Sequence, residues 1–282
     1  MANTARQFAE EERAQGYASA VTNDLSALDA TVDVVCLHGA WLPILWRAAK
    51  KAKRLGAKLV IRPAGSYDPV RLAYHGWKKR LVAFFEHRML MRADVVLATC
   101  RAEEEWIRAY EPRVKKIELT DLKRFFGLSR VEHVERVEAE RVGKSSLHLL
   151  YLGRRHPLKG LEYLEAAVAE IVSGCRTSDV ECPVPSPVEL RIVSNAFGEE
   201  KERVWEWCDV LVLPTLSENF GRVVAEALER GKRVITTDGA PAWGDGNTYG
   251  GRLVYLKGYL NGSREERISL LARAIVNLRK GM

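Results

Sequence analysis

The chain reads as an α/β protein made of two doubly wound, parallel-sheet domains, and three observations predict it. Short runs rich in Val, Leu and Ile alternate with longer amphipathic runs, which is the pattern of strands joined by crossover helices. That alternation breaks off once, at the charged stretch 126–146, where large apolar side chains are few. With 282 residues and 47% hydrophobic content, the chain can also fill two cores.

The first domain is assigned to residues 1–125. Phe8 to Gly16 reads as a helix, followed by strands at Val32 to Leu37, Lys58 to Ile61, Val95 to Thr99 and Lys115 to Leu119. Helices at Leu42 to Leu55, Val70 to Arg92 and Glu103 to Tyr110 separate them. A linker is expected over 126–146. The second domain, 147–260, repeats the scheme, with strands at Leu147 to Leu152, Glu189 to Val193, Val210 to Leu213, Arg233 to Thr236 and Arg252 to Leu256. Its helices lie near Leu161 to Ser173, Glu199 to Trp207 and Phe220 to Arg230. Residues 261–282 form a C-terminal helix, because Ile268, Leu271, Ala272, Ile275 and Leu278 recur on one side.

Charge is distributed unevenly. Residues 1–125 hold 22 Lys and Arg against 15 Asp and Glu, and the remainder balances at 22 of each, so the formal charge of +7 belongs to the first half. Such a field favours an anionic acceptor or an anionic membrane surface. It would attract nucleic acid as well, but no recognition motif accompanies it, and nucleic acid is not expected as a partner. In the helix over 70–92, Trp77, Leu81, Phe84 and Phe85 share one stripe, with Lys78, Lys79 and Arg88 largely off it. The reading taken is a core helix with a solvated basic flank; contact with an anionic membrane is the alternative.

Five cysteines, Cys36, Cys100, Cys175, Cys182 and Cys208, fit a reducing compartment. Cys175 and Cys182 lie too far apart for the usual zinc spacing, although a disulfide between them is open, and no metal is assigned. No run of eighteen apolar residues and no signal peptide is found, so a cytoplasmic protein, peripheral at most to the membrane, is expected. His75, His87, His133, His148 and His156 show no ligand spacing.

The chemistry concentrates in two strand-loop-helix segments. In Leu213-Pro-Thr-Leu-Ser-Glu218-Asn219-Phe220-Gly221-Arg-Val-Val-Ala-Glu226, two carboxylates stand eight residues apart across a strand-to-helix turn. Amide groups near Asn219, Phe220 and Gly221 open a helix whose positive end suits a diphosphate. Glu226, more than a turn further in, can accept hydrogen bonds from ribose hydroxyls. In Leu150-Tyr-Leu-Gly153-Arg154-Arg-His-Pro-Leu-Lys159-Gly160, Gly153 is expected to permit a tight turn, and Arg154 and Lys159 put two cations on one loop. All these loops, with Asp238-Gly-Ala-Pro241, follow the carboxyl ends of strands, where ligands of such sheets bind.

These two segments resemble the donor-binding half of retaining glycosyltransferases of the GT-B architecture, family four in particular. The likeness extends to Val34-Val-Cys-Leu-His38-Gly39-Ala-Trp41, to Arg62-Pro63-Ala-Gly65, and to Arg92-Ala-Asp-Val-Val-Leu-Ala-Thr-Cys-Arg-Ala-Glu-Glu-Glu, which look like the acceptor-side domain. The resemblance implies two Rossmann-like domains facing a cleft, the N-terminal one lacking its first strand. It also implies a nucleotide diphosphate sugar as substrate, no cofactor, and transfer with retention to a glycan or glycolipid acceptor such as lipopolysaccharide or capsule. Glu218 would hold donor-sugar hydroxyls, Glu226 the ribose, and Arg154 and Lys159 the diphosphate. By the same likeness His38 would contact the donor sugar, with Gly39 and Gly65 bordering the acceptor side. Between Val193 and Val210 there is room for one short helix, where relatives fit a further strand and helix. The segment Ile117 to Arg124 departs from the Asn-Gly loop that relatives carry. A catalytically impaired nucleotide-sugar binder or partner subunit is the alternative.

Overall fold

A computed structural model describes residues 2–74, 76–120, 122–125, 128, 146–174, 188–194 and 196–280. The chain divides into two compact units, Met1–Thr120 and Asp121–Met282. The expected linker, apart from Leu128 and Ser146, lies outside the described residues, as do Cys175, Cys182, His75 and His133. Helix α10 (Arg264–Lys280), assigned above to a segment of its own, belongs to the second unit and packs on its core through Ile268, Leu271 and Ile275.

In the first unit, α1 (Ala2–Ala14) precedes β1 (Val34–His38), α2 (Pro43–Leu55), β2 (Lys58–Arg62), α3 (Pro69–Ala73), α4 (Gly76–Arg92), β3 (Val95–Ala98), α5 (Arg101–Tyr110) and β4 (Ile117–Leu119). The strands pair in parallel in the order β1-β2-β3-β4. Helix α2 starts on Pro43, which fits a first-turn position that needs no N–H donor, and stops at Gly56 in the left-handed conformation at φ 80°. Its inward residues are Ala48, Ala49 and Ala52, small enough to bring the helix close to the sheet. Leu37, Leu59, Ile61, Val96 and Met89 complete that core.

The helix expected over Val70 to Arg92 is two pieces. Asp68 caps α3 by accepting from Val70 N at 2.9 Å, and Tyr74, in an extended conformation, ends it. The face of α4 that meets the core is not the aromatic stripe. Glu86, Met89 and Leu90 are buried, while Trp77, Leu81, Phe84 and Phe85 are exposed. Periodicity located the stripe correctly but could not say which of two faces turns inward. The opposite face buries Met89 and Leu90, and on it Glu86 accepts from three donors: Trp41 N at 3.1 Å, Trp46 Nε1 at 2.6 Å and Tyr67 Oη at 2.6 Å. A buried carboxylate so satisfied offsets much of its desolvation cost, although burial still raises its pKa.

The second unit opens on α6 (Leu122–Phe125) and continues with β5 (Leu147–Leu152), α7 (Leu161–Gly174), β6 (Val188–Val193), α8 (Gly198–Trp207), β7 (Val210–Leu213), α9 (Arg222–Glu229), β8 (Arg233–Thr237) and β9 (Leu253–Leu256), then α10. All five strands are parallel, in the order β6-β5-β7-β8-β9. Strands β5 and β7 are buried nearly throughout, which is why they read as continuous apolar runs. A capping box starts α10: Ser263 N donates to Glu266 Oε2 at 2.7 Å and Glu266 N to Ser263 Oγ at 3.2 Å.

Candidate functional site

The order of the second sheet reverses between β5 and β7. The chain moves outward from β5 to β6, then returns to the other side of β5 and advances through β7, β8 and β9. At such a reversal the loops leaving the two adjacent strands diverge, and a crevice opens beyond their carboxyl ends. The two loops in question carry the residues singled out by sequence, 153–160 after β5 and 214–221 after β7.

Backbone contacts hold these loops together. The Leu158 carbonyl accepts from Thr215 Oγ1 at 3.0 Å and from Leu216 N at 2.9 Å. His156, for which spacing suggested no role, shapes the first loop: its Nδ1 accepts from Leu158 N at 3.2 Å and starts the short turn Pro157–Lys159. The glycine this loop requires is Gly160 and not Gly153. Gly160 sits at φ 62°, and a Cβ there would stand 2.0 Å from the Pro214 carbonyl oxygen, whereas Gly153 has no left-handed φ and a Cβ would meet only the Tyr151 ring at ordinary distance. Tyr151 Oη donates to the Arg154 carbonyl at 2.9 Å. Burial, aided by the Glu218 charge, pushes its phenol up to about 12 and keeps it a donor.

The loop after β7 is braced by the loop after β8. Glu218 N donates to the Gly239 carbonyl at 2.7 Å, and a Cβ on Gly239 would fall 2.1 Å from the Thr215 carbonyl oxygen. Asp238 serves as a clamp for the next turn, accepting from Gly258 N at 2.7 Å and Leu260 N at 2.9 Å. Phe220 is buried, its ring 5.0 Å from that of Trp243 and its carbonyl accepting from the Trp243 indole. It therefore fixes the loop from beneath. Gly221 opens α9 at φ 66°, with Glu218 Cγ and Leu213 Cδ2 each 3.2 Å from where a Cβ would lie.

On this frame two ion pairs form. Lys159 pairs with Glu218, and both are about four-fifths buried, at 17% and 18% exposure. Glu218 also accepts from Asn219 N at 3.2 Å through its other oxygen. Asn219 itself is buried. Glu226 pairs at 2.6 Å with Lys201, contributed by α8, a residue that sequence reasoning missed. Only the return of the chain through α8 brings it beside α9, and no local spacing signals that. Arg154 stands exposed at the mouth of the first loop, with no carboxylate partner among the described residues. Three cations and two carboxylates, supported by a left-handed glycine at a helix start, can hold a ligand that carries both phosphate and vicinal hydroxyls.

The first unit places its candidates differently. His38 and Arg62 are register partners at the carboxyl ends of β1 and β2. Gly39, at φ 107°, donates its N–H to the Arg62 carbonyl at 2.9 Å. Phe8 from α1 lies with its ring 6.1 Å from that of His38 and 3.9 Å from the Arg62 guanidinium. Burial first, and then the Arg62 charge, push His38 down to about 4, so the imidazole is neutral. Gly65, at φ 76°, donates to Glu103 Oε1 at 2.5 Å, while Glu103 Oε2 takes Thr99 N at 2.8 Å and Thr99 Oγ1 at 2.7 Å. Glu103, within a motif that sequence had quoted without assigning it a role, thus holds the Pro63–Ser66 loop.

A strand-order reversal whose loops are braced by glycines and carry paired charges is where doubly wound sheets take their ligands. Comparison with known proteins then gives the family. Residues 2–120 match the glycosyl transferase 4-like domain and residues 146–278 match the glycosyl transferases group 1 domain. The chain belongs to the group 1 glycosyltransferases, and its two parallel-sheet units are those of the GT-B fold. Sucrose-phosphate synthase from Thermosynechococcus elongatus is 16% identical at a TM-score of 0.53, covering 99% of this chain and 77% of that one. The UDP-forming α,α-trehalose-phosphate synthase from Burkholderia xenovorans is 12% identical at a TM-score of 0.58, over 91% of this chain and 69% of that one. HepE from Anabaena in complex with UDP-glucose is 15% identical at a TM-score of 0.52, over 86% and 74%. An uncharacterised 41.2 kDa protein of the cps region of Klebsiella pneumoniae is 24% identical over 220 residues, 73% of this chain. The chain spans about 60% of the length of that curated relative.

Proposed function

We propose that the protein moves a sugar from a nucleotide diphosphate donor, with retention at the anomeric carbon and without a metal, to a glycan or glycolipid acceptor of the cell surface. The observation that carries the reading is the Lys159–Glu218 pair, which links the two loops of the β5/β7 reversal, with Arg154 on the first of those loops and Glu226 in α9 beyond the second. Lys159 and Arg154 would neutralise the diphosphate as the glycosidic bond breaks and charge collects on the leaving oxygen. Glu218 would orient donor-sugar hydroxyls and Glu226 the ribose. Asn219, Phe220 and Gly221 would supply the backbone of the phosphate turn. The acceptor hydroxyl would attack on the face the leaving group vacates and pass its proton to a departing phosphate oxygen, so no protein nucleophile is needed. His38, neutral, would contact the donor sugar as a hydrogen-bond partner, and Gly39 and Gly65 would shape the acceptor side.

UDP-glucose in the HepE complex supports a nucleotide-sugar donor, and the cps-region relative supports capsule or lipopolysaccharide assembly. No helix among the described residues is long and apolar enough to cross a membrane. With the basic first half, this supports a cytoplasmic enzyme held peripherally at the membrane. The test is release of nucleoside diphosphate from UDP-, GDP- and ADP-sugars by the purified chain. Release that disappears in Glu218→Ala and Arg154→Ala is expected. Tight binding of a nucleotide sugar without release would favour the noncatalytic binder, and absence of binding would overturn both.

A further inference from the structure

The outward face of α4 carries an apolar patch of a kind that a soluble surface seldom leaves uncovered. Trp77 is 65% exposed, Leu81 74%, Phe84 62% and Phe85 50%. At 100° per residue Trp77, Leu81, Phe84 and Arg88 fall within one narrow sector, opposite the buried Glu86, Met89 and Leu90. Lys78, Arg80 and Arg88 are exposed along the same side. The Lys78 ammonium lies 5.5 Å from the Trp77 ring and the Arg88 guanidinium 5.3 Å from the Phe84 ring, so charge and aromatic surface are presented together. Lys79 is turned away, donating to the carbonyls of Arg71 and Tyr74. The sole acidic residue of α4 is Glu86, and it is buried. The exposed face is therefore aromatic, aliphatic and positive, with no negative charge.

From this we propose that α4 is a membrane-docking surface that lies flat on an anionic lipid bilayer, inserting Trp77, Leu81 and Phe84 at headgroup depth. Lys78, Arg80 and Arg88 meet lipid phosphates around them. The composition matches an interfacial helix, in which aromatic side chains occupy the headgroup boundary and cations reach back to it. A second copy of the chain fits the face poorly. A two-fold contact would set the same patch against itself and oppose three cations to three cations. The inference rests on the proposed peripheral location and adds the surface that makes it; its test does not depend on turnover.

The full chain is sedimented with vesicles of phosphatidylcholine alone and with vesicles containing phosphatidylglycerol. Partition into the anionic vesicles, at least tenfold above the neutral ones and suppressed by salt, is expected. Leu81→Glu with Phe84→Glu, and separately Lys78→Glu with Arg80→Glu and Arg88→Glu, should each lower it at least tenfold. All five side chains point outward, and unchanged melting would show that the variants are folded. No binding to either vesicle, or binding undiminished in both variants, overturns the proposal. A concentration-dependent dimer that Leu81→Glu dissociates, without vesicle binding, would instead make the partner a second copy.

Discussion

The carboxyl ends of the two sheets use acidic residues in opposite ways. In the second unit Glu218 and Glu226 are partly exposed and each is held by a lysine side chain. In the first, Glu86 and Glu103 are buried completely and held by backbone amides, a hydroxyl and indole or phenol groups. A lysine partner on a long flexible stem can be exchanged for a ligand atom at little structural cost. A buried amide has no second option, because leaving it unsatisfied carries its whole desolvation penalty. One pair of carboxylates therefore belongs to a surface that can trade partners, and the other to loops whose shape must not change.

Three experiments probe that distinction. For the donor site, Glu226→Ala should weaken nucleotide-sugar binding roughly tenfold to a hundredfold, the range of a lost charge-assisted hydrogen bond pair. Calorimetry would measure it, and unchanged affinity would remove Glu226 from the site. Next, Glu103→Ala should cost roughly 2 to 4 kcal/mol of stability in the first unit, since the Gly65 and Thr99 donors lose their acceptor. Hydrogen exchange should rise locally over residues 62–66 and 99–103 while donor affinity holds. If both variants lost binding alike, the contrast between the two ends would fail.

The third experiment concerns pH. His38 is held near 4 in the folded chain, against an ordinary value of 6.5. Between these values the unfolded chain binds a proton that the folded chain does not, so stability should fall as pH drops from about 6.5 towards 4 and be level above that window. Denaturant midpoints of wild type and His38→Gln would check it, the variant showing a shallower slope across the window.

Much of this was legible in the sequence, for a physical reason. Continuous apolar runs such as Val210 to Leu213 lie in strands buried on both faces, and the loop residues Glu218 and Lys159 follow directly from where those strands end. What escaped were relations that local spacing does not encode. Lys201 reaches Glu226 only through the crossover by α8, and Gly160, not Gly153, is the glycine pressed against another loop's carbonyl. The sidedness of α4 escaped as well. An apolar stripe ordinarily marks the buried face, but here Met89 and Leu90 are buried instead, beside Glu86 and its three donors. The strand expected at Lys115 to Leu119 is present as Ile117–Leu119, the edge strand of the first sheet.

The Leu158 carbonyl, which joins the two loops of the second unit, is a main-chain atom, and so are the oxygens of Pro214 and Thr215 against which Gly160 and Gly239 are pressed. The spacing of the crevice is thus written in peptide groups and glycines. Side chains that project from these loops can be exchanged without moving its walls. A lineage could drift from one sugar to another by substituting those projecting side chains, while the groove they line keeps its dimensions.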